Sequence, residues 1–236
     1  MKRDQRLDDF HAVYLGLVLG FMLPADAPLW LPIIGGVVSV GLGKMIFGGL
    51  GANPFCPPAI GWAVLMICWP TLVDASSVVL NNDFLDPLFR LKYFGVSDAT
   101  ANFTYGSLLL GQQMGGLGSS QVGALIAGGV IAALRMDISF ETPLGFIIGI
   151  YALGGAMHLA APETYAPATF HLLSGNVVLG AFFLATEFGG SPIRPIPRLL
   201  YGMIIGMPTC LVRAFGQYAN GLAFSVLLGY LAMPLL

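Results

Sequence analysis

The chain has 236 residues, 56% of them hydrophobic and only 9% charged, with a formal net charge of −2. A water-soluble domain carries about a quarter charged residues, so this chain cannot coat a water-facing surface and reads as a polytopic membrane protein. The charge balance offers no basic patch for nucleic acid, and the scattered Cys56, Cys68 and Cys210 form no metal or iron–sulfur pair.

The N-terminus, "MKRDQRLDDFHAVYLGLVLGFML", has a basic start and an apolar run. No small-residue cleavage site follows, so residues 10–23 read as a first membrane segment rather than a signal peptide. A spanning helix needs about 20 apolar residues. On that criterion the candidate spans are 10–23, 29–47, 57–73, 121–134, 143–160, 172–186, 199–215 and 221–236. Several are short or interrupted by glycine, which predicts broken or re-entrant helices lining a cavity. Two glycine-rich loops, "FGGLGANPF" (47–55) and "GQQMGGLGSS" (111–120), point the same way, and 105–111 reads as a half-helix. The second loop follows no strand and is not a phosphate-binding loop. It reads as a tight turn where backbone approaches backbone closely.

Positive charge sets the expected orientation. Lys2, Arg3, Arg6, Lys44, Arg135, Arg194 and Arg198 fall on one side if the N-terminus is cytoplasmic. Arg90, Lys92 and Arg213 then fall outside with Asp74, Asp83, Asp86, Asp98 and Glu163. Both termini are therefore expected in the cytoplasm, and the 74–103 loop, with Thr100, outside.

The chain also resembles itself. "GLVLGFML" (16–23) matches "NVVLGAFFLA" (176–185), and "FGGLGANPF" (47–55) matches "FGQYANGLAF" (215–224). The first three spans thus pair with the last three, in opposite directions across the membrane, as in inverted-repeat transporters. The expected organisation is one membrane domain over 1–236, all-α with about eight spans. Its first repeat covers 10–73, its connecting helices 104–160 and its second repeat 172–236. Spans four and five have no counterpart before the first repeat, so symmetry predicts two further N-terminal helices.

Three stretches carry a resemblance to a known family. They are "GKMIFGGLGANPFCPPAIG" (43–61), "PETYAPATFHLLSGNVVLGAFFLATE" (162–187) and "RAFGQYANGLAFSVLLGYLAMPL" (213–235). In this order they resemble the D subunits of the Rnf complex, an ion-translocating membrane oxidoreductase. The chain is more distantly similar to the B subunit of the Na+-translocating NADH:quinone oxidoreductase. The resemblance implies a ten-helix fold in two inverted halves. It also implies covalent FMN, its phosphate esterified to a threonine by a separate flavin transferase. Ser97-Asp98-Ala99-Thr100 stands at the matching Ser-Gly-Ala-Thr motif, so Thr100 is the expected attachment site, with Ser97, Asp98 and Ala99 as its cofactor-binding neighbours. An unactivated hydroxyl of this kind needs an external enzyme and an exposed loop rather than a helix interior. Asp98 replaces the family's usual small neutral residue, and Phe94 replaces an acidic one. At the Asn53 loop, Cys56 and Pro58 replace the usual Asn and Ala. The family also allows a second, noncovalent flavin.

Other residues have plainer expectations. Lys44 is expected to snorkel to the inner interface. Glu187, near membrane depth, is a candidate for ion or proton handling, set against a carboxylate resting at the interface. Asn53 and Asn220 are expected to cap broken-helix backbone, with contact to a flavin ring as a second role. His158 and His171 lack a third ligand, so no metal site is expected, nor any catalytic residue in this chain alone. The implied function is the flavin-carrying subunit of a bacterial or archaeal cytoplasmic-membrane complex that couples ferredoxin–NAD+ electron flow to Na+ or H+ movement. Its implied partners are the other membrane, flavin and iron–sulfur subunits, the transferase and lipids. The rivals are a urea-transporter-like channel and a flavin-free scaffold.

Overall fold

The computed structural model describes residues 10–48, 51, 53–73, 86–187 and 189–235. The described residues fold into helices with no strand; an isolated antiparallel bridge joins Pro24 to Gly116. Lys2, Arg3, Arg6, Asp74 and Asp83 lie outside the described residues.

Helices α1 (His11–Met22), α2 (Trp30–Val38) and α3 (Pro57–Cys68) pack together. A π-helical stretch, Ser39–Met45, prolongs α2. Pro57 opens α3, where a missing N–H costs nothing. Pro70 separates α3 from the short α4 (Pro70–Val73). The chain then makes α5 (Pro87–Tyr93), α6 (Val96–Asn102) and α7 (Tyr105–Leu109), followed by α8 (Val122–Leu134) and α9 (Glu141–Ala160). After α10 (Ala168–Leu173) come α11 (Val177–Leu179), extended by a π-helical Gly180–Leu184, then α12 (Pro195–Phe215) and α13 (Leu222–Ala232).

Each of the eight apolar segments expected from sequence holds helix, but α5, α6 and α7 lie outside them, and α9, α10 and α12 begin before theirs. Only α9 and α12, among the described residues, are long and apolar enough to cross a membrane by themselves. Shorter apolar helices cover His11–Met22, Trp30–Met45, Pro57–Cys68, Val122–Leu134 and Leu222–Leu235. The segment 172–186 is not one helix. It breaks at Ser174–Gly175–Asn176, where Gly175 has φ +65°. The region expected to be a loop before Phe103 instead carries α5 and α6.

Glycine sets the closest packing. A Cβ on Gly145 would collide with the Leu199 carbonyl oxygen, and one on Gly149 would come within 2.7 Å of Met203 O. From the other side, a Cβ on Gly202 would strike Thr142 O, and one on Gly206 would strike Phe146 O. Two small-xxx-small pairs therefore interlock α9 with α12 at backbone contact, the usual device where no water drives helices together. Outward faces remain apolar: Val13, Leu17, Ile33, Val37, Ile131 and Leu231 are all more than half exposed. Such surface suits lipid and would be a liability in water.

Arg213, in the last turn of α12, is buried at 5% exposure. Its Nη1 donates to His171 O at 2.6 Å and its Nη2 to Ser174 O at 2.9 Å. These are carbonyls from the last turn of α10, which the helix break deprives of helical partners. The guanidinium fork thus closes the broken helix, a role no single point charge fills as well. Lys44 departs from expectation: it sits buried at 6% on the π-helical stretch.

Substitutions at the seam and at the arginine separate these effects. Gly202→Leu or Gly206→Leu forces α9 and α12 apart and should cost about 3 kcal/mol or more, read as loss of folded protein in a detergent unfolding titration. Gly155→Ala, where a Cβ meets nothing within 4 Å, should stay within about 1 kcal/mol of the parent. Arg213→Lys should destabilise by about 2 kcal/mol, since two charged hydrogen bonds become one; the same titration measures it.

Candidate functional site

Thr100 sits on a small two-helix platform. Asp86 caps α5 by accepting from Leu88 N at 3.0 Å, and Pro87 occupies the first turn. The helix ends at Gly95, whose φ of +91° is open to glycine. The chain turns there and starts α6 directly. Arg90 Nη1 donates to Asp98 Oδ2 at 3.1 Å and ties the two helices together. Lys92 Nζ donates to Gly216 O at 2.6 Å and fastens the platform to the end of α12.

On α6, Ala99 is fully buried while Ser97 and Thr100 are exposed. The four motif residues are therefore together but not equivalent. Ala99 anchors, Asp98 is half-covered and paired, and Thr100 faces outward. The exposure expected of Thr100 holds, but the loop does not: Thr100 lies in a helical turn, its Oγ1 donating to Val96 O at 2.8 Å and to Ser97 O at 3.3 Å. Tertiary contacts through Ala99 and Arg90 impose helix on a Val-Ser-Asp-Ala-Thr-Ala-Asn run of mostly poor helix formers. The Arg90 pair also answers the charge of Asp98, two residues from Thr100.

A second polar centre surrounds Glu187, 4% exposed, in the turn after the π-helical end of α11. Asn53 Nδ2 donates to both of its carboxylate oxygens, at 3.2 and 3.1 Å. Tyr230 Oη of α13 donates to Oε2 at 2.6 Å. His11 Nε2 of α1 lies 3.5 Å from Oε1. Around them, Tyr14 donates to Phe183 O at 2.8 Å, and the Tyr201 ring packs edge-on to Tyr230 at 6.2 Å. Gly189 and Gly190 leave room for this: a Cβ on either would run into Asn53 or the Tyr230 ring. A buried carboxylate normally demands such donors. Glu187 is thus no interfacial helix-end charge. It joins four segments far apart in sequence.

Sequence reasoning found Glu187 and Asn53 but missed Tyr230, His11 and Tyr201, which lie in runs that look like ordinary membrane helix. Asn53 caps backbone as expected, donating to Phe55 O at 3.2 Å. With Glu187 taking its remaining amide hydrogen, a flavin ring would have to compete for both donors. Asn220, its partner in the sequence match, makes no such clamp. His158 Nδ1 contacts Tyr165 O at 2.7 Å while His171 is buried elsewhere, and no metal-binding cluster occurs among the described residues.

Known proteins share this sequence along its whole length. The profile described as the NQR2, RnfD, RnfE family matches residues 1–236. The D subunit of the ion-translocating oxidoreductase complex of Cronobacter sakazakii (strain ATCC BAA-894) is 33% identical over 267 residues, covering 98% of this chain and 76% of that protein. The proteins of the same name from Yersinia enterocolitica and Escherichia coli (strain SMS-3-5 / SECEC) are 30% and 31% identical over 266 residues, with the same coverage. A full-length family match and relatives above 30% identity over nearly every residue settle the lineage: this chain belongs to the NQR2, RnfD, RnfE family.

Proposed function

We propose that this chain is the flavin-carrying membrane subunit of a bacterial ion-translocating electron transport complex, with FMN esterified through its phosphate to Thr100 Oγ1. The names of its relatives supply the complex. The observation that carries the flavin is the platform itself: an exposed threonine hydroxyl, small neighbours at Ser97 and Ala99, and a neighbouring carboxylate already neutralised by Arg90. These residues fit a phosphoester-linked FMN. When bound, the flavin supplies one- and two-electron transfer.

The protein's part is positional. Gly95 aims α6, Ala99 anchors it, and Lys92 fixes the platform to α12. The Thr100 hydroxyl must leave Val96 O to react, because its proton lies along that bond and a carbonyl cannot take it. A flavin transferase therefore provides the base. The transferase would take the flavin phosphate from a flavin dinucleotide: the Thr100 Oγ1–P bond forms as the phosphoanhydride bond breaks and AMP leaves, so the chain gains the mass of FMN less water. The remaining partners are the other subunits of the complex, which would bring the ferredoxin- and NAD+-facing chemistry, with Na+ or H+ as the ion moved.

Glu187 is the candidate for ion or proton handling within this reading. It is a carboxylate held inside the bundle by donors from α13 and the Asn53 loop, with His11 of α1 3.5 Å away, and such residues in membrane proteins are costly and functional.

The decisive experiment is the intact mass of the chain expressed with a flavin transferase. A gain of FMN less water, abolished by Thr100→Val, is expected; an unmodified chain beside a flavinylated control protein overturns the reading. Arg90→Ala should lower the modified fraction several-fold by exposing the Asp98 charge, and Asp98→Asn in that background should restore it. Glu187→Ala should destabilise the protein by about 3 kcal/mol, since it strands the Asn53 and Tyr230 donors. Glu187→Gln should cost less than half of that while lowering ion-coupled electron flow in proteoliposomes of the assembled complex.

A further inference from the structure

Three buried polar side-chain atoms lack a partner among the described residues. Trp62 is 3% exposed, and its Nε1–H has no hydrogen-bond partner among the described residues. Asn220 Oδ1 and Gln113 Oε1 are likewise buried and unmatched. Gln113 spends its amide hydrogens on carbonyls, the nearest being Leu173 O at 3.0 Å. One stranded donor and two stranded acceptors are expensive at membrane depth, and native proteins rarely leave them so.

The residues that carry them line two adjoining cavities. An outer one, about 210 Å³, is lined by Asp26, Gln113 and Ser120 together with Pro24, Gly115 and Gly116. An inner one, about 20 Å³, shares Pro24, Gly115 and Gly116 and adds Trp62, Met66, Asp86 and Asn220. The common residues make them one passage that narrows inward. The Pro24–Gly116 bridge fixes the neck. Gly116 is required there, since a Cβ would lie 2.5 Å from Phe21 O and 2.8 Å from Met22 O. The inner end is on the same side as the platform, because Asp86 is the cap of α5.

We propose that this passage is a water-filled vestibule ending in an ordered water held by Trp62 Nε1, Asn220 Oδ1 and the Asp86 carboxylate. The chemistry selects water. The site offers a donor as well as acceptors, which water satisfies and a bare cation does not. Its volume holds one water and little more. The Arg213 guanidinium stands close by: a Cβ on Gly175 would lie 3.1 Å from Arg213 Nη2 and 3.5 Å from Asn220 Oδ1. That charge offsets the Asp86 carboxylate, so the site holds no net negative charge for an alkali ion, which would also have to shed its hydration shell to enter. The vestibule thus gives the bundle interior aqueous contact from the Thr100 side without opening a path for hydrated ions, a property separate from flavin attachment.

Radiolytic hydroxyl-radical footprinting of the full chain in nanodiscs tests this, because radicals born from a confined water oxidise the side chains beside it. Trp62 and Met66 should be oxidised at least fivefold faster, after correction for intrinsic reactivity, than the equally buried Phe146 and Phe170, which line neither cavity. Asn220→Leu, which fills the inner site, should bring Trp62 down to the Phe146 rate and leave Met114 on the outer wall unchanged. Trp62 and Met66 at the reference rate in the parent protein would overturn the proposal, and so would an undiminished Trp62 rate in Asn220→Leu. The parent comparison needs no variant, so it decides the matter even where Asn220→Leu fails to fold.

Discussion

Backbone polar groups inside a membrane protein must find partners within the protein, and this chain breaks its helices while meeting that constraint. The break between α10 and α11 strands carbonyls at His171 and Ser174. Arg213 reaches them from α12 and satisfies both. It reaches them because α12 runs at backbone contact along α9, and that contact exists because Gly145, Gly149, Gly202 and Gly206 have no side chains. The glycine seam, the buried arginine and the broken helix are therefore one arrangement. Enlarging a glycine would move α12 and with it the group that closes α10.

The apolar runs were legible because composition alone marks them, and each holds helix. What composition could not show is where a run stops being one helix. Residues 172–186 are as apolar as their neighbours, yet Gly175 takes a left-handed turn there. Arg213 read as an orientation charge at the end of a span, because charge counting sees only its sign and place in the sequence. The broken backbone it satisfies lies some forty residues earlier and shows only in the fold. Thr100 was legible as an exposed site but not as a helical one. Its helix comes from Ala99 packing and the Arg90–Asp98 pair, neither of which local propensity contains. Glu187 was visible as an unusual carboxylate in grease. Its partners were not, since Tyr230 and His11 become meaningful when four distant segments meet.

The internal sequence match set Asn53 and Asn220 in equivalent positions, and the structure uses them differently. Asn53 clamps a buried carboxylate. Asn220 faces a cavity with its oxygen unmatched. Asp26, at the mouth of the vestibule, is exposed while Glu187 is enclosed. Related sequence thus yields one closed polar centre and one open one, at opposite ends of α1: His11, its first residue, touches Glu187, and Met22, its last, lines the inner cavity.

That separation limits how the two ends can communicate. A helix of the length of α1 spans roughly 18 Å. Two unit charges that far apart interact by about 1 kcal/mol at an effective dielectric of 20. Moving one charge against 100 mV takes about 2.3 kcal/mol. A unit charge at one end of α1 is therefore felt at the other at less than half of that. The two ends are joined instead by elements that touch both. Two qualify. Helix α1 joins Glu187 to the vestibule. Helix α12 places Tyr201 against Tyr230 near one end and Arg213 in the broken helix at the other, with Lys92 fixing the Thr100 platform to the turn that follows it. Of the two, α12 is the more firmly held, because its glycine seam sets it at backbone contact with α9.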